Sequence, residues 1–282
     1  MYLTDRDKNL FKFLAEMALM TTSQIRQAVF KNIATTTILR RLRVLESAGY
    51  IQKLEGLKSN ERGWYLTLRG AEVVGIFRCK RNFNRSTLDH DVRLVDLRLS
   101  LENHGVAHSW VPEHEIRSKM AIKYGLRSMK SQVVPDGIMG VSYHGANESV
   151  AIELEFNYKN KGRYREIFKT YMWKEKIHAV WYLVPTINVG IYLCNLWVEY
   201  VGRDSRVMFL FSQIDDVVKN GSQATVRHFE DSHKVNEVWA LKVKDKPAQE
   251  AAQMVSSELS SKIENQNVVS DQNQKELLLK AV

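Results

Sequence analysis

The stretch VVPDGIMGVSYHGANESVAIELEFNYKNKGRY, residues 133–164, contains the pattern that decides the fold. Residues 133–143 and 148–158 are rich in β-branched, aromatic and other apolar side chains. Residues 144–147, His-Gly-Ala-Asn, separate the two runs and are typical of a turn. The stretch therefore predicts two antiparallel strands joined as a hairpin.

Three carboxylates fall on this hairpin. Pairing Tyr143 with Glu148 places Asp136 opposite Glu155. Glu153 lies two residues before Glu155 on the same strand, opposite Ile138. Cross-strand partners share a face and side chains alternate with period two, so all three carboxylates project from one side. Crowded carboxylates repel one another and cannot be buried unpaired, whereas a divalent cation with oxygen ligands removes the conflict. The pattern predicts a metal site for Mg²⁺ or Mn²⁺.

A solvated face of an edge hairpin is the alternative interpretation. The apolar surroundings favour the metal site, because Val133-Val134-Pro135 precede Asp136 in the sequence. Ile152, Leu154 and Phe156 are expected to point to the opposite face, toward a core.

The N-terminal third carries a different pattern. Thr4 predicts the cap of a first helix that extends to Ala18, and further helices are expected over residues 22–30 and 34–48. Gly49 ends the third helix, and a basic hairpin returns over residues 50–68. Three helices followed by such a hairpin predict a winged helix-turn-helix domain over residues 1–80. Its third helix and wing are expected to contact DNA through Thr35, Thr36, Thr37, Arg40, Arg41, Arg43, Lys58 and Arg62.

The charge distribution supports that interpretation. The chain of 282 residues has a formal net charge of +9. Residues 1–85 contain 16 Lys or Arg and 7 Asp or Glu, whereas residues 86–282 contain 25 of each class. All of the excess charge therefore lies in the N-terminal third, as expected for phosphate affinity. A winged helix that binds protein through a merely solvated basic face is the alternative.

Composition limits the other classes of protein. The two cysteines, Cys79 and Cys194, form no disulfide framework or ligand spacing, which indicates a reducing compartment. No signal peptide and no apolar run of about 20 residues is found, so a cytoplasmic location without a membrane span is expected.

Pro135-Asp136 followed by Glu153-Leu154-Glu155 resembles the metal site of the PD-(D/E)xK nuclease fold. In this resemblance Glu155 stands where the fold usually has lysine, and Lys159 and Lys161 follow closely. Together with the winged helix, the chain over about residues 4–240 resembles the replication-relaxation family, which includes MobC-type plasmid mobilisation relaxases.

The resemblance implies the fold and the reaction. The fold class is α/β (α+β): a winged helix followed by a restriction-endonuclease-like mixed sheet flanked by helices over residues 86–243. The implied reaction is metal-dependent, site- and strand-specific nicking of double-stranded DNA at a plasmid transfer origin, alongside other mobilisation or coupling proteins. The implied catalytic residues are Asp136, Glu153 and Glu155, and the role of the missing lysine falls to Lys159, to Lys161 or to Glu155 itself.

The remaining segments add further candidates. A helix beginning near Leu88 carries His90, in a His-Asp start that resembles the family. A strand over residues 109–117 is expected to carry Glu113 and Glu115, either of which could reach a metal ion. A helix over residues 159–176 offers Arg163 and Arg165 to a phosphate backbone. Residues 78–85 are read as a polar linker, and residues 244–282 as a polar tail.

Two other functions stay open. The first is a non-enzymatic DNA-binding regulator or replication-control protein whose nuclease-like domain is inactive. The second is a restriction-type endonuclease that makes double-strand breaks. A histidine-cluster relaxase is disfavoured, because that chemistry needs a His-x-His pair and the sequence contains none.

Overall fold

A computed structural model describes residues 2–58, 61–76, 83–125, 132–172, 174 and 176–239. All of them belong to one compact unit, residues 1–241. Most of the expected linker and the whole expected tail lie outside the described residues. None of the helices in the described ranges is both long and apolar enough to cross a membrane.

The N-terminal elements begin with α1 (Asp5–Met17), which Thr4 caps as predicted through a reciprocal capping box with Asp7. There follow β1 (Leu19–Thr21), α2 (Thr22–Ala28), α3 (Thr35–Ser47), β2 (Ile51–Leu54), β3 (Gly63–Leu66) and α4 (Leu68–Val73). The strands form a small antiparallel sheet in the order β1-β3-β2. The sequence did not predict β1, which is only three residues long and pairs with residues more than forty positions away.

The next segment consists of α5 (Leu88–Asn103), β4 (Ser109–Pro112) and α6 (Glu113–Tyr124). The prediction of one strand over residues 109–117 was wrong, because the strand ends at Pro112 and a helix begins at once. Glu113 and Glu115 lie in the first turn of that helix, where the positive end of the helix dipole favours carboxylates.

The hairpin is confirmed as β5 (Gly137–Tyr143) and β6 (Ala146–Leu154). Its turn contains two residues, His144 and Gly145, both with positive φ, and Tyr143 pairs with Ala146. The predicted partner, Glu148, was wrong by two residues, since a two-residue turn of left-handed residues matches the strand twist better than four turn residues do. A shift of two leaves every side chain on its predicted face.

The larger sheet continues through α7 (Lys161–Met172), β7 (Ala179–Val184), α8 (Ile187–Tyr200) and β8 (Met208–Gln213). The described chain ends with α9 (Ile214–Asn220), β9 (Thr225–His228), β10 (Asp231–Lys234) and α10 (Val235–Val238), which the sequence did not predict. The result is a mixed α/β fold with a seven-stranded sheet, in the order β10-β9-β8-β7-β6-β5-β4. Strands β6, β7 and β8 are parallel and the other pairs are antiparallel.

Strand β7 divides the core into two layers. All six of its residues are buried. Trp181 and Leu183 join an apolar cluster that includes α5 and α1, whereas Val180 and Tyr182 join one that includes α7 and α8. Helices therefore cover both faces of the sheet, which explains the continuous apolar sequence of β7. Gly190 in α8 lies against Phe211, where a Cβ atom would come within 2.1 Å of the ring.

Candidate functional site

An open cleft of about 960 Å³ lies beside the carboxyl end of β6. Its walls come from the start of α5, the segment before β5, the end of β6 and the loop that leads into α7. The carboxyl ends of parallel strands are the usual location of ligand sites in open α/β sheets. The predicted carboxylates Asp136, Glu153 and Glu155 all line this cleft.

Asp136 is held in place by two hydrogen bonds on one oxygen. Its Oδ2 accepts from the backbone N–H of Leu154 at 2.7 Å and lies 3.1 Å from Nε2 of His90. The backbone N–H of Asp136 donates to the carbonyl of Ile152 at 3.1 Å. Extending the observed register by one residue places Asp136 opposite Glu153 rather than Glu155.

His90 is charged at neutral pH. Burial opposes charging its ring, but the hydrogen bonds to Asp136 and Asp91 outweigh burial and raise the pKa of His90 to about 10. His90 Nδ1 lies 3.7 Å from Asp91 Oδ1. The imidazolium therefore supplies one positive charge between two carboxylates. The sequence identified His90 as a candidate, and the structure brings it directly onto Asp136.

Glu153 is partly buried and lies opposite Asp136, which directly precedes β5. Burial, followed by the charge of Asp136, raises the pKa of Glu153 to about 8, although the hydroxyl of Tyr171 donates a hydrogen bond to Glu153 Oε1. A carboxyl group with such a pKa is largely protonated at neutral pH, because ionising it would add a second negative charge beside Asp136.

Glu155 is deeply buried, with 4% of its surface exposed. Its Oε2 accepts a hydrogen bond from Nζ of Lys159, four residues further along the chain. Burial raises the pKa of Glu155, while Lys159 acts in the opposite direction. Lys159 thus neutralises Glu155, and it also lines the cleft.

Other predicted residues are distributed around this centre. Arg163 lines the cleft and pairs with Glu166 at 3.0 Å. Glu113 also lines the cleft and accepts a hydrogen bond from Arg117 at 2.6 Å. Three further candidates lie outside the cleft lining: Lys161, Arg165 and Glu115, of which Glu115 pairs with Lys119 at 2.7 Å.

The predicted DNA-contacting residues of α3 divide into two groups. Thr35, Thr36, Thr37, Arg40 and Arg43 are exposed. Arg41 instead binds Asp7 of α1, with its Nε 3.0 Å from Asp7 Oδ1. Asp7 is 1% exposed, and the hydrogen bonds from Arg41 help to lower its pKa against the effect of burial. Arg41 therefore holds two helices together.

Two residues were expected in the wing between β2 and β3. Lys58 lines the cleft, and its Nζ lies 2.5 Å from Oδ2 of Asp89, the neighbour of His90. Arg62 has an exposed side chain, and its carbonyl accepts a hydrogen bond from the backbone N–H of Thr22 at 3.1 Å. The connection between β2 and β3 therefore reaches the cleft through Lys58.

A family model described as "Replication-relaxation" matches residues 11–178. This match covers more than half of the chain. The chain belongs to the replication-relaxation family. The match includes every element that contributes to the cleft and ends one residue before β7.

The other comparisons add less about this replication-relaxation protein. No curated protein matches its sequence. A solved structure of the restriction endonuclease FokI bound to DNA is similar with a TM-score of 0.26 and 9% sequence identity. The similarity covers 76% of the present chain and 44% of the FokI chain, so the chain spans less than half the length of that protein.

Two residues of the site were missed from the sequence. Tyr171 falls in the helix expected over residues 159–176, and its hydroxyl donates a hydrogen bond to Glu153. Lys174 donates to the carbonyl of Val133 at 2.9 Å and lies 5.0 Å from the centre of the Tyr171 ring. Burial lowers the pKa of Lys174, and the charge of Glu153 opposes that effect. The helical spacing of Tyr171 from Tyr164 and Phe168 places it on the buried face of α7. That spacing is the only sequence signal for its contact with Glu153.

Proposed function

We propose that this replication-relaxation protein is a metal-dependent DNA nickase that cuts one strand at a plasmid transfer origin. The observation that carries the proposal is the pair of Asp136 and Glu153, which face each other across the hairpin in an open cleft. Burial, followed by the charge of Asp136, raises the pKa of Glu153, so the two carboxylates are unfavourable together in ionised form. A divalent metal ion with oxygen ligands would relieve that repulsion.

The donor atoms fit Mg²⁺ or Mn²⁺. Both ions prefer carboxylate oxygens, and Asp136 and Glu153 supply them from a rigid hairpin. Among the described residues, no group of three or more His, Cys, Asp or Glu side chains is already arranged around a common point. We assign the metal to the facing carboxylates Asp136 and Glu153, with Glu155 of the same cleft as a third candidate ligand. When bound, the ion would polarise a scissile phosphate and stabilise the leaving oxygen.

The surrounding residues orient these two carboxylates. His90 and the Leu154 amide fix one oxygen of Asp136, and the Tyr171 hydroxyl fixes one oxygen of Glu153. Lys159 keeps Glu155 neutralised and presents its ammonium to the cleft, so we assign it the contact with the scissile phosphate that the usual lysine makes. Lys161, outside the cleft lining, is the weaker candidate for that role.

We further propose that residues 1–80 form a winged helix that delivers the protein to double-stranded DNA. The exposed threonines and arginines of α3 suit the major groove, and the β2–β3 wing suits the backbone. Lys58 joins the wing to the cleft, so DNA bound by α3 would pass close to the carboxylates. Other mobilisation or coupling proteins complete the set of proposed partners.

Nicking of a supercoiled plasmid that carries the DNA flanking the protein's own gene tests the proposal. With Mg²⁺ or Mn²⁺ the wild type should produce open circles, and Asp136→Asn should produce none while retaining duplex binding. Glu115→Gln, which removes a carboxylate outside the cleft, should nick at the wild-type rate. Linear products would indicate a restriction-type enzyme instead. Open circles from Asp136→Asn, or their formation in excess chelator, would refute the proposed site.

One observation favours a second candidate, a DNA-binding regulator without nuclease activity. The imidazolium of His90 already neutralises Asp136, and Glu155 replaces the usual lysine. A regulator of this kind would bind a specific duplex with unchanged affinity in Asp136→Asn and would never produce open circles. The same plasmid assay therefore separates the two candidates.

A further inference from the structure

An exposed aromatic patch lies at the mouth of the cleft. Its members are Phe156 and Tyr158, in the loop after β6; the partly buried Tyr192 of α8 packs against Tyr158 from outside the cleft lining. Phe156 is 36% exposed and Tyr158 is 64% exposed. Both line the cleft that contains the carboxylates. Exposed apolar residues that lie together beside a polar cleft are typical of a ligand-binding surface.

The geometry leaves these rings available to a ligand. The rings of Tyr158 and Tyr192 meet nearly edge-on, with centroids 5.5 Å apart and planes at 79°. Phe156 meets the ring of His90 in the same manner, at 6.1 Å and 85°. The patch therefore rests on defined neighbours, and Tyr158 keeps most of its surface open to solvent.

Phe156 was expected to point away from the carboxylates, into the core with Ile152 and Leu154. That expectation was wrong, because β6 ends at Leu154 and the alternation of strand faces stops there. Phe156 instead lies at the cleft, next to His90. At this position Phe156 leaves part of its apolar surface exposed to solvent. This exposure indicates a role other than packing.

Basic residues follow the patch along the chain, whereas the carboxylates line the other side of the same cleft. Between Phe156 and Met172 the chain contains five Lys or Arg residues and only one acidic residue. Lys159 and Arg163 line the cleft beside Tyr158, and Lys161 is exposed at the start of α7. The ion pair of Arg163 with Glu166 lies at the surface, so it costs little to exchange for a phosphate contact.

We infer that the cleft binds an unpaired DNA strand, with a base stacked on the aromatic patch and its phosphates on Lys159, Lys161 and Arg163. Aromatic rings interleaved with basic side chains are how proteins hold single strands. Bases inside a duplex are covered by their neighbours and cannot reach a ring in this way. The inference rests on the proposed function, and it specifies that the strand is unpaired where it is cut.

The neighbouring charges make a protein or lipid occupant less suitable. A protein interface concentrates aromatic anchors in a centre depleted of lysine, whereas here lysine and arginine follow directly after the two rings. A nucleic acid strand matches both features, because it presents a ring and a phosphate with every residue.

Binding of a fluorescently labelled thymidine oligonucleotide to the full chain in excess chelator tests the inference. The double variant Phe156→Ala/Tyr158→Ala should bind about 10- to 100-fold more weakly than the wild type, which is the usual loss for removing base stacking. Tyr158→Phe keeps the ring and should bind as the wild type does. Tyr2→Ala removes an exposed aromatic ring outside the cleft lining and should also leave binding unchanged.

A second measurement identifies stacking directly. A strand containing 2-aminopurine should lose fluorescence on binding the wild type, and should keep it with the double variant. Thermal melting must show that the double variant is folded. Equal affinity of the wild type and the double variant for single strands would refute the inference. Failure of the wild type to bind the oligonucleotide, with another protein covering the patch instead, would refute it as well.

The outcome can be separated from that of the proposed function. If the double variant loses single-strand binding but no plasmid is nicked by the wild type, the stacking site stands and the nickase proposal fails. If the double variant nicks fully paired plasmid at the wild-type rate, the nickase stands and the stacking site fails. Cutting of a substrate with an unpaired bubble should exceed cutting of the matched duplex in the wild type alone.

Discussion

Replacing Glu153 by glutamine should stabilise the metal-free protein at alkaline pH. The pKa of Glu153 rises from an ordinary value of 4.5 to about 8 on folding, because of burial and the nearby Asp136. The unfolded chain therefore ionises first, and stability falls as the pH rises from about 4.5 to about 8. Above that range the full cost of the buried charge is present.

The pKa shift sets the magnitude. At about 1.4 kcal/mol per tenfold change in proton affinity, the rise to about 8 corresponds to an upper limit of about 5 kcal/mol. Part of this energy is shared with Asp136, and solvent screens a side chain that is only partly buried, so we expect about 2–3 kcal/mol. Glutamine keeps an oxygen that can accept from the Tyr171 hydroxyl while removing the charge.

Urea unfolding of the two proteins at pH 5 and pH 9 in excess chelator measures this difference. Glu153→Gln and the wild type should be nearly equal at pH 5, and the variant should be more stable at pH 9. Glu115→Gln is the matched control, since it removes an exposed carboxylate at the cost of a surface ion pair worth less than about 1 kcal/mol. The reasoning would be refuted if Glu153→Gln and the wild type differed in free energy of unfolding by the same amount at both pH values.

Metal binding should stabilise the wild type more than Glu153→Gln. An ion that binds only the folded state stabilises it by about 2.7 kcal/mol at a hundredfold excess over its dissociation constant. Added Mn²⁺ should therefore raise the melting temperature of the wild type more than that of Glu153→Gln. Equal shifts in the two proteins would place any metal elsewhere.

Three further results are expected. Arg41→Ala should lower the free energy of unfolding in urea by about 3 kcal/mol, because it removes the ion pair of the buried Asp7. Arg40→Ala should leave stability unchanged and should reduce the salt slope of duplex binding by about 1. His90→Gln should be about 1–3 kcal/mol less stable than the wild type below pH 6.5. The difference should disappear as the pH rises through about 10, because the wild-type imidazolium deprotonates there. A difference in urea unfolding that does not change with pH would contradict this prediction. Gly190→Ala should lower stability by about 1–3 kcal/mol in thermal melting, because the new methyl group meets Phe211.

The hairpin shows what the sequence can predict. Alternation of apolar and acidic residues was enough to put Asp136, Glu153 and Glu155 on one face, and the structure brings all three to one cleft. The turn was harder, since Ala146 and Asn147 are poor strand formers that nevertheless pair with Tyr143 and Ser142. The error in register was harmless to the faces because it was an even number of residues.

Contacts between distant segments were beyond local patterns. His90 meets Asp136 across forty-six positions, and nothing in the spacing of either residue requires that contact. Arg41 was read as a DNA contact because it lies on the polar side of α3, but the same side also faces Asp7 of α1. Local periodicity gives the face of a helix, whereas the neighbour that covers the face depends on tertiary packing.

The family match ends one residue before β7, yet β6 depends on β7. Strand β6 carries Glu153 and leads directly into Glu155, and residues 150–154 along its second edge pair with the buried β7. A fragment cut at residue 178 would leave that edge as a row of unpaired backbone groups next to bare apolar side chains. Such an edge recruits other copies of itself, so a shortened protein is expected to precipitate during expression. Expression trials should therefore retain the strands that follow the matched region.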